Sequence, residues 1–217
     1  SKGQDIFRYR NVKKLLCCDV DKTALMELAS RTYESKKARS YDELNYCLYF
    51  IALDLNLPYR ENVETINLRH IPFGPESCDS MVINFAIHYL DIRNLFGFIN
   101  YYLKKNGLLL FTCFDGTKVL KLLGSNGIWS SKQKNKFSIV AKPDNKIDVL
   151  LPFSNEYYAE NLVFYEEVEK IAAAKKIFLK QMGSFSEFFD NYEGSAIFDE
   201  DDKLYAGLYH YYIFTKK

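Results

Sequence analysis

The chain has 217 residues and a formal net charge of +1, from 29 lysines and arginines against 28 aspartates and glutamates. This balance excludes a globally basic protein, so any contact with nucleic acid must come from local patches. Hydrophobic residues make up 48% of the chain, as in an ordinary globular core, and the 16% of aromatic residues indicates either a tyrosine-rich core or a ring-lined surface,.

Strand patterns alternate with helix patterns in the first half of the chain. Short apolar runs predict strands at 15–20, 49–53, 81–86 and 108–114,. An apolar stripe at helical spacing predicts a helix over 23–32. A second helix is predicted over 92–105, because Asn106 and Gly107 form a usual C-terminal stop,. This alternation predicts an α/β fold with a mostly parallel sheet and helices on both of its faces.

The second half of the chain has a different pattern. A Pro-Asp-Asn turn between two apolar runs predicts a hairpin of strands 137–141 and 147–151,. The elements predicted after the hairpin are a helix over 163–176, a strand over 177–181, a short aromatic helix over 185–192 and a closing strand over 209–214. Because linker composition and internal repeats are not seen, we predict a single domain over residues 1–217.

The five cysteines do not form a C-x-x-C pair, which argues against a zinc site and against a disulfide framework,. Free buried thiols in a reducing compartment are expected. The sequence contains no stretch that is long and apolar enough to span a membrane, and no signal peptide is visible,. We therefore expect no metal and no membrane partner.

Polar residues follow the first three predicted strands, at the edge of a parallel sheet where ligands bind. Asp19 ends the first strand, Asp54 follows the second, and Asn84 begins a polar and aromatic segment that includes His88 and Tyr89. A strand-end carboxylate after a glycine-containing loop can accept hydrogen bonds from the ribose hydroxyls of a nucleotide-like cofactor. Such a carboxylate can equally serve as a turn or helix cap, so the pattern leaves both interpretations open.

Taken in chain order, these segments resemble messenger-RNA cap guanine-N7 methyltransferases. The matching segments are residues 1–9, 18–25, 84–89, 110–122, 156–158 and 209–217. The segment Asn84-Phe85-Ala86-Ile87-His88-Tyr89 resembles the Gln-Phe-x-x-His-Tyr signature of that family, with Asn84 in place of Gln. The likeness is greatest to the methyltransferase domain of capping enzymes from poxviruses and African swine fever virus. It implies a Rossmann-like class I S-adenosylmethionine-dependent methyltransferase with an antiparallel C-terminal strand.

The resemblance implies S-adenosylmethionine as methyl donor, S-adenosylhomocysteine as product and N7 of the 5′ cap guanine of GpppN-RNA as acceptor. Guanine N7 loses no proton on methylation, so we expect positioning and electrostatics and no general base. The residues implied for the cofactor are Lys2, Gly3, Asp5, Asp19, Asp54, Leu55, Asn84 and Phe85. Those implied for the guanine are Phe85, His88, Tyr89, Phe114, Glu156 and Tyr209. Of these, His88, Tyr89 and Glu156 would position the base, with Glu156 accepting from guanine N1–H and the N2 amino group.

The resemblance also implies the C-terminal part of a larger capping enzyme, whose first strand and first glycines precede this chain. It further implies triphosphatase and guanylyltransferase domains in the same polypeptide, a possible stimulatory subunit, and location in the host cytoplasm and the virion. Two alternatives stay open: a methyltransferase for another RNA position or a small molecule, and a catalytically idle fold that binds RNA or docks a partner. Lysines 132, 134, 136, 142 and 146 could contact RNA, although a solvated loop is the simpler expectation for them and for the acidic run 199–202.

Overall fold

The computed structural model describes residues 9, 12–38, 47–133, 136–151, 154, 156–189 and 197–217. The chain divides into two compact units between Phe73 and Gly74. Each unit has its own β-sheet structure, and the single domain that we expect from the sequence stays a prediction. No helix in the described part of the chain is long and apolar enough to cross a membrane.

The first unit is built on two parallel strands. These are β1 (Lys14–Asp19) and β2 (Cys47–Ala52), and they are followed in the chain by α1 (Lys22–Ala38) and α2 (Tyr59–Leu68), respectively. Leu25 and Leu28 of α1 are buried against apolar residues of both strands. The Leu53 N–H donates to the Asp19 carbonyl at 3.0 Å, so the chain segments that leave β1 and β2 stay side by side.

The second unit has a four-stranded sheet in the order β3-β4-β10-β9. Its strands are β3 (Cys78–Asn84), β4 (Leu103–Phe114), β9 (Ile177–Ser184) and β10 (Tyr209–Lys216). β3 and β4 are parallel, whereas β10 runs antiparallel to both β4 and β9. The helices α3 (Ile92–Tyr102) and α5 (Tyr165–Ala173) belong to this unit. Buried rings of Phe111, Tyr212 and Phe214 stack within the sheet at centroid distances of 4.9 and 5.7 Å.

A second, antiparallel sheet of the same unit has the order β5-β6-β7-β8. Its strands are β5 (Ile128–Ser130), β6 (Ser138–Lys142), β7 (Lys146–Leu150) and β8 (Tyr157–Asn161), and α4 (Gly116–Leu123), α6 (Ser186–Phe189) and α7 (Glu200–Gly207) complete the unit. Tyr205 of α7 stacks on Phe137 at 4.1 Å and meets Phe114 edge-on at 5.5 Å. This buried cluster joins α7 to both sheets of the unit.

The structure confirms the predicted α/β class, the β6–β7 hairpin and the antiparallel C-terminal strand. The predicted helix over 92–105 was too long, because α3 ends at Tyr102 and Leu103 already pairs with Cys78 of β3. Asn106 and Gly107 lie in an irregular stretch of β4, where the register shifts after Cys78. A Cβ on Gly107 would come within 2.8 Å of Leu103 and of the Lys104 carbonyl, so this glycine permits a tight chain path and does not end a helix.

Several other boundaries differ from the sequence predictions. The helix predicted over 163–176 occupies only Tyr165–Ala173, and Lys176 after it has a φ of 58°. The aromatic helix predicted over 185–192 is Ser186–Phe189, and residues 190–192 lie outside the described part of the chain. The elements α2, β8 and α7 were not predicted. Of these, β8 and α7 carry residues that bear directly on the candidate site.

Candidate functional site

The turn after β3 begins with a residue in an unusual backbone conformation. Phe85 has a φ of 51°, in the left-handed region that a bulky residue rarely adopts,. Its N–H donates to the carbonyl and to the hydroxyl oxygen of Thr112, both at 3.1 Å. Its ring stays half exposed. Backbone strain that neighbouring hydrogen bonds hold in place is characteristic of functional sites, so this turn is the natural centre of the site.

The short 3-10 helix Ile87–Tyr89 follows Phe85. Ile87 and His88 are buried, and Tyr89 remains half exposed. The imidazole of His88 and the ring of Tyr89 meet edge-on with centroids 4.1 Å apart. From β8, the side-chain amide of Asn161 donates to the His88 carbonyl at 2.8 Å. The turn is therefore anchored by the buried side chain of Ile87 and by the hydrogen bond from Asn161 of the second sheet to the His88 carbonyl.

A buried carboxylate from β8 lies against this turn. Glu160 is 6% exposed, and its Oε1 atom lies 3.4 Å from the Tyr89 hydroxyl and 3.6 Å from Nε2 of His88. The other oxygen, Oε2, and the Nδ1 atom of His88 are buried and make no hydrogen bond within the described residues. Buried polar atoms are nearly always paired in folded proteins. Two such atoms in one cluster make it a candidate for binding a polar ligand.

Burial sets the ionisation of this cluster. It raises the pKa of Glu160 from its usual 4.5 to about 7, because the charged form loses its hydration,. It lowers the pKa of His88 from 6.5 to about 4, so the imidazole is neutral at physiological pH,. The pKa of Tyr89 rises to about 12, first through burial and then through the nearby Glu160 charge. Glu160 is thus the group of this cluster that titrates near neutral pH.

Aromatic rings form the rest of the site. Tyr209, the first residue of β10, meets Phe85 edge-on at 5.1 Å and stacks on Phe114 at 4.1 Å. Burial raises the pKa of Tyr209 above its usual range, and the nearby Glu160 and Tyr89 raise it further. The structure therefore brings together five of the predicted guanine-site residues, namely Phe85, His88, Tyr89, Phe114 and Tyr209.

Glu156, the sixth predicted guanine-site residue, lies in a different environment. Its side chain is exposed, and its N–H donates to the Ser154 hydroxyl at 3.0 Å in a local turn before β8. Glu160, four residues later, is the carboxylate that faces His88 and Tyr89. In the structure Glu160 pairs with the fully buried Ile147 of β7, but it is the only buried residue of β8. Without a second buried residue at alternating spacing, the sequence of β8 carries no signal for Glu160.

The residues predicted for the cofactor divide between the two units. In the first unit, Asp19 ends β1 and accepts the Asp21 N–H at 3.1 Å, while Asp54 follows β2 and accepts the Asn56 N–H at 2.9 Å. Leu55 follows Asp54 directly. Two carboxylates at the carboxyl ends of adjacent parallel strands fit the hydroxyl and amino groups of a nucleoside. In the second unit, Asn84 is the exposed last residue of β3.

Three predicted cofactor residues, Lys2, Gly3 and Asp5, lie outside the described residues. Within the described part of the chain, no group of three or more His, Cys, Asp or Glu side chains could hold a metal ion.

The lysines of the loop before β6 have acidic partners. Lys136 pairs with Asp199 at 2.8 Å and with Asp202 at 2.7 Å, and Lys132 pairs with Glu200 at 2.7 Å. Asp199 also begins α7 with a reciprocal capping box to Asp202,. The acidic run is therefore a helix start paired with two of the lysines. The solvated expectation holds for Lys132 and Glu200, which are exposed, and is wrong for Asp201, which is buried. Contact of the lysines with RNA stays a prediction. Lys142 likewise pairs with Asp148 at 2.7 Å, and Lys134 lies outside the described residues.

The sequence is similar to viral mRNA-capping enzymes. It is 31% identical over 99% of its length to the mRNA-capping enzymes of two African swine fever virus isolates, Tick/South Africa/Pretoriuskop Pr4/1996 and Badajoz 1971 Vero-adapted. The chain spans 28% of the length of these relatives. The resemblance to the capping enzyme of this virus is therefore confirmed. No protein-family model matches the chain.

The solved structures that resemble the chain identify its fold. A S-adenosylmethionine-dependent methyltransferase from Mesorhizobium loti superposes with a TM-score of 0.56 and 9% identity, covering 94% of this chain and 81% of that one. A methyltransferase of the same class from Clostridium acetobutylicum gives 0.54 and 13%, covering 94% and 75%. The [4+2]-cyclase SpnF gives 0.54 and 11%, covering 99% and 71%. The chain has the class I methyltransferase fold, but a fold shared with a cyclase does not by itself fix the reaction.

Proposed function

We propose that this chain is the guanine-N7 methyltransferase portion of an mRNA-capping enzyme, and that it transfers a methyl group from S-adenosylmethionine to N7 of the cap guanine. The observation that carries the proposal is the buried Glu160 carboxylate beside Tyr89 and His88, at the mouth of a ring-lined site. The similarity to viral capping enzymes and the class I methyltransferase fold support the same conclusion.

Glu160 would read the Watson–Crick edge of the guanine. That edge presents two neighbouring donors, N1–H and the N2 amino group, and an ionised carboxylate offers two acceptor oxygens that match them. The unpaired Oε2 atom of Glu160 is available for such a bond. Adenine presents an acceptor at N1, so it would leave a buried charge facing a lone pair and would be rejected.

The rings of the site would hold the plane of the base. Phe85 and Tyr89 are half exposed, and Tyr209 is fixed between Phe85 and Phe114. Stacking of a base on one aromatic ring is worth about 1–3 kcal/mol. We propose that Phe85, Tyr89 and Tyr209 supply this surface, while neutral His88 fixes the orientation of Tyr89 through their edge-on contact. Phe114, predicted for the same surface, is 3% exposed and supports Tyr209 from the core.

The reaction that we propose needs no general base. Guanine N7 carries a lone pair in the plane of the ring and loses no proton when it is methylated. S-adenosylmethionine, when bound, supplies an activated methyl group. The residues of this chain therefore need only to orient the guanine and to exclude water, and the rate would come from alignment and from the Glu160 charge that balances positive charge developing on the purine.

The cofactor residues that we propose follow from the family resemblance and are given for each unit separately. Asp19 would accept hydrogen bonds from the ribose hydroxyls, and Asp54 with the Leu55 backbone would meet the adenine. In the second unit, Asn84 and Phe85 would contact the cofactor from the end of β3. Lys2, Gly3 and Asp5 would belong to the loop near its methionine part, as the family resemblance implies.

The wider context of the chain is also part of the proposal. The chain matches a fraction of a longer viral capping enzyme, so we propose that triphosphatase and guanylyltransferase domains share its polypeptide and that the capped 5′ end of mRNA is its partner. A stimulatory subunit, and location in the host cytoplasm and virion, follow from the same resemblance. These statements can be tested on the full-length gene product.

The decisive experiment compares two glutamates that are four residues apart. The full-length gene product is incubated with GpppRNA and S-adenosylmethionine, and 7-methylguanosine is measured after nuclease digestion. We expect Glu160→Gln to lower kcat/KM for the cap at least about 100-fold, since an amide replaces one acceptor oxygen with a donor that faces guanine donors. Glu156→Gln is the matched control, because Glu156 is exposed and should leave turnover within about twofold,.

The alternatives give different results in the same experiment. A product methylated at another position, or transfer to a small molecule alone, would replace the cap proposal with a different methyltransferase. Cofactor binding by calorimetry without any methyl transfer would support an idle RNA-binding or docking module. Equal losses for Glu156→Gln and Glu160→Gln would contradict the role of Glu160 while leaving the reaction itself in place.

A further inference from the structure

The free edge of β9 combines exposed apolar side chains with unpaired charge. In the described part of the chain, β9 is the last strand of its sheet and pairs only with β10. Phe178 of β9 is 40% exposed and Phe188 of α6 is 58% exposed. Met182 is 51% exposed but lies on the opposite face of the sheet, because it pairs with Tyr212 whereas Phe178 pairs with Thr215. Large apolar side chains gathered on one edge mark an interaction surface more often than chance exposure does.

Three lysines, Lys176, Lys180 and Lys217, lie near Phe178 on this edge. The ammonium group of Lys217 lies 5.3 Å from the centre of the Phe178 ring, and the Lys217 N–H donates to the Lys176 carbonyl at 2.9 Å. Lys180 lies two residues beyond Phe178 in β9. All three side chains are exposed. The ion pairs found among the described residues do not include them, in contrast to Lys132 and Lys136.

A chain of rings leads from this edge to the candidate site. The Phe185 ring lies 6.0 Å from Phe85 in the site and 6.2 Å from Phe188. Phe188 in turn lies 5.9 Å from Tyr211 of β10, whose hydroxyl accepts from the Gln181 side chain of β9 at 3.0 Å. These contacts lead from the site to Gln181 of β9, three residues from Phe178.

We propose that the single-stranded RNA that follows the cap lies along this edge, here called the β9 edge and made of Lys176, Phe178, Lys180, Phe188 and Lys217. The inference rests on the proposed function and extends it to the RNA body. Rings stack on bases without regard to sequence, and lysines contact phosphates, which is the combination that single-stranded nucleic acid requires. An added protein strand would use the backbone of β9 and would have no need of the three lysines.

The length of the sheet predicts how much RNA reaches the edge. β10 runs eight residues from Tyr209 in the candidate site to Lys216, next to Lys217. At about 3.3 Å per residue this spans about 23 Å. Stacked nucleotides rise about 3.4 Å each, so on the order of seven nucleotides after the cap are needed to reach Phe178 and Lys217.

The test uses the full-length gene product with two acceptors, the dinucleotide GpppG and an unstructured capped RNA of about 20 nucleotides, longer than the span above. We expect Phe178→Ala, and separately the triple variant Lys176→Glu, Lys180→Glu and Lys217→Glu, to raise KM for the long RNA at least tenfold. Turnover of GpppG should stay unchanged, which also shows that the variants fold. For the triple variant, the slope of log affinity against log salt should fall by about two.

A matched charge control uses exposed lysines on other elements, with Lys14→Glu, Lys121→Glu and Lys203→Glu in one triple variant. This control should leave KM for the long RNA within about threefold of the wild type. If it weakens RNA binding as much as the edge variant does, the effect is general electrostatics and the β9 edge is not the RNA path. Unchanged KM in both edge variants overturns the proposal.

Direct binding separates this inference from the proposed function. Affinity for an uncapped RNA of the same length, measured without methyl transfer, depends on the β9 edge and not on cap chemistry. If the wild type binds this RNA and the edge variants lose it, the RNA path stands even where no methylated cap is formed. If the wild type methylates caps and the edge variants bind uncapped RNA like the wild type, the RNA path fails and the reaction stands.

Discussion

The Nε2 atom of His88 lies 3.6 Å from Oε1 of Glu160, and both side chains are at most 6% exposed. A buried histidine beside a buried carboxylate often forms an ion pair, but here burial keeps the imidazole neutral with a pKa of about 4,. Each group also keeps one buried polar atom without a hydrogen bond within the described residues, namely His88 Nδ1 and Glu160 Oε2. The pair is therefore arranged for a ligand and contributes little as an internal bridge.

The raised pKa of Glu160 predicts the pH dependence of cap recognition. In the proposed function, the ionised carboxylate is the form that would accept two hydrogen bonds from guanine, and burial raises the pKa of Glu160 to about 7. We expect log kcat/KM for the cap to rise with unit slope below about pH 7 and to level off above it. The measurement is a pH profile of 7-methylguanosine formation at low cap concentration.

Two variants identify the group whose titration causes the fall of kcat/KM below about pH 7, here called the acid limb of the profile. Glu160→Gln should give a low and flat profile between pH 5 and about 8, because the titrating carboxylate is gone. His88→Asn should keep a limb, since the His88 pKa of about 4 lies below the measured window. A limb that disappears with His88 and persists without Glu160 would contradict the assignment.

The same carboxylate should reduce stability at alkaline pH. The Glu160 pKa is raised from 4.5 in the unfolded chain to about 7 in the folded one. Between these values the folded state binds more protons, so the free energy of unfolding falls as pH rises. We expect Glu160→Gln to be more stable than the wild type at pH 8 by about 3 kcal/mol, with most of that gain absent at pH 4.5.

Urea unfolding at both pH values measures this difference. Glu156→Gln is again the matched control, and its stability should stay within about 0.5 kcal/mol of the wild type because the side chain is exposed,. An equal stability of Glu160→Gln and the wild type at pH 8 would mean that water reaches the carboxylate. Increased stability with lost turnover is the usual mark of a residue kept for function.

Much of the fold could be predicted because its strands are continuous apolar runs. The segment 78–89 also indicated the candidate site, since polar and aromatic residues directly follow its apolar run at the carboxyl end of a predicted parallel strand,. Sequence patterns could not identify Glu160, because β8 reads Tyr-Tyr-Ala-Glu-Asn and most of its residues are exposed. The role of α7 was hidden for a similar reason, since its acidic start resembles a solvated loop until Lys132 and Lys136 are paired with it.

The backbone of Phe85 gives a stability prediction with an unusual sign. Its φ of 51° is costly for any residue with a Cβ atom and free of cost for glycine,. We expect Phe85→Gly to be more stable than Phe85→Ala by about 1 kcal/mol in urea unfolding. Both variants should lose cap turnover, because both remove the ring that meets Tyr209.

The control for this comparison is the same pair of substitutions at Leu120, an exposed residue of α4 with ordinary helical geometry. There, Leu120→Gly should be less stable than Leu120→Ala by about 1 kcal/mol. The same order at both positions would show that the chain at Phe85 relaxes to negative φ when the ring is removed.

The hydrogen bond from Asn161 to the His88 carbonyl predicts a positioning role for a residue outside the site. The side-chain amide donates at 2.8 Å and ties β8 to the turn that carries His88 and Tyr89. Asn161→Asp replaces this donor with an acceptor, which repels the carbonyl. We expect KM for the cap to rise about tenfold, equivalent to about 1.4 kcal/mol, the range of a hydrogen bond that gains or loses a charge.

The pH profile distinguishes this positioning role from a general loss of stability. If the hydrogen bond from Asn161 holds the turn over Glu160, its loss admits water to the carboxylate. The acid limb then moves from about pH 7 towards 4.5, the usual pKa of a glutamate,. Asn126→Asp, a change of the same kind at an exposed turn residue, should leave both KM and the limb in place. A rise in KM for Asn161→Asp with an unmoved limb would show that the hydrogen bond supports the fold of the turn without controlling the environment of Glu160.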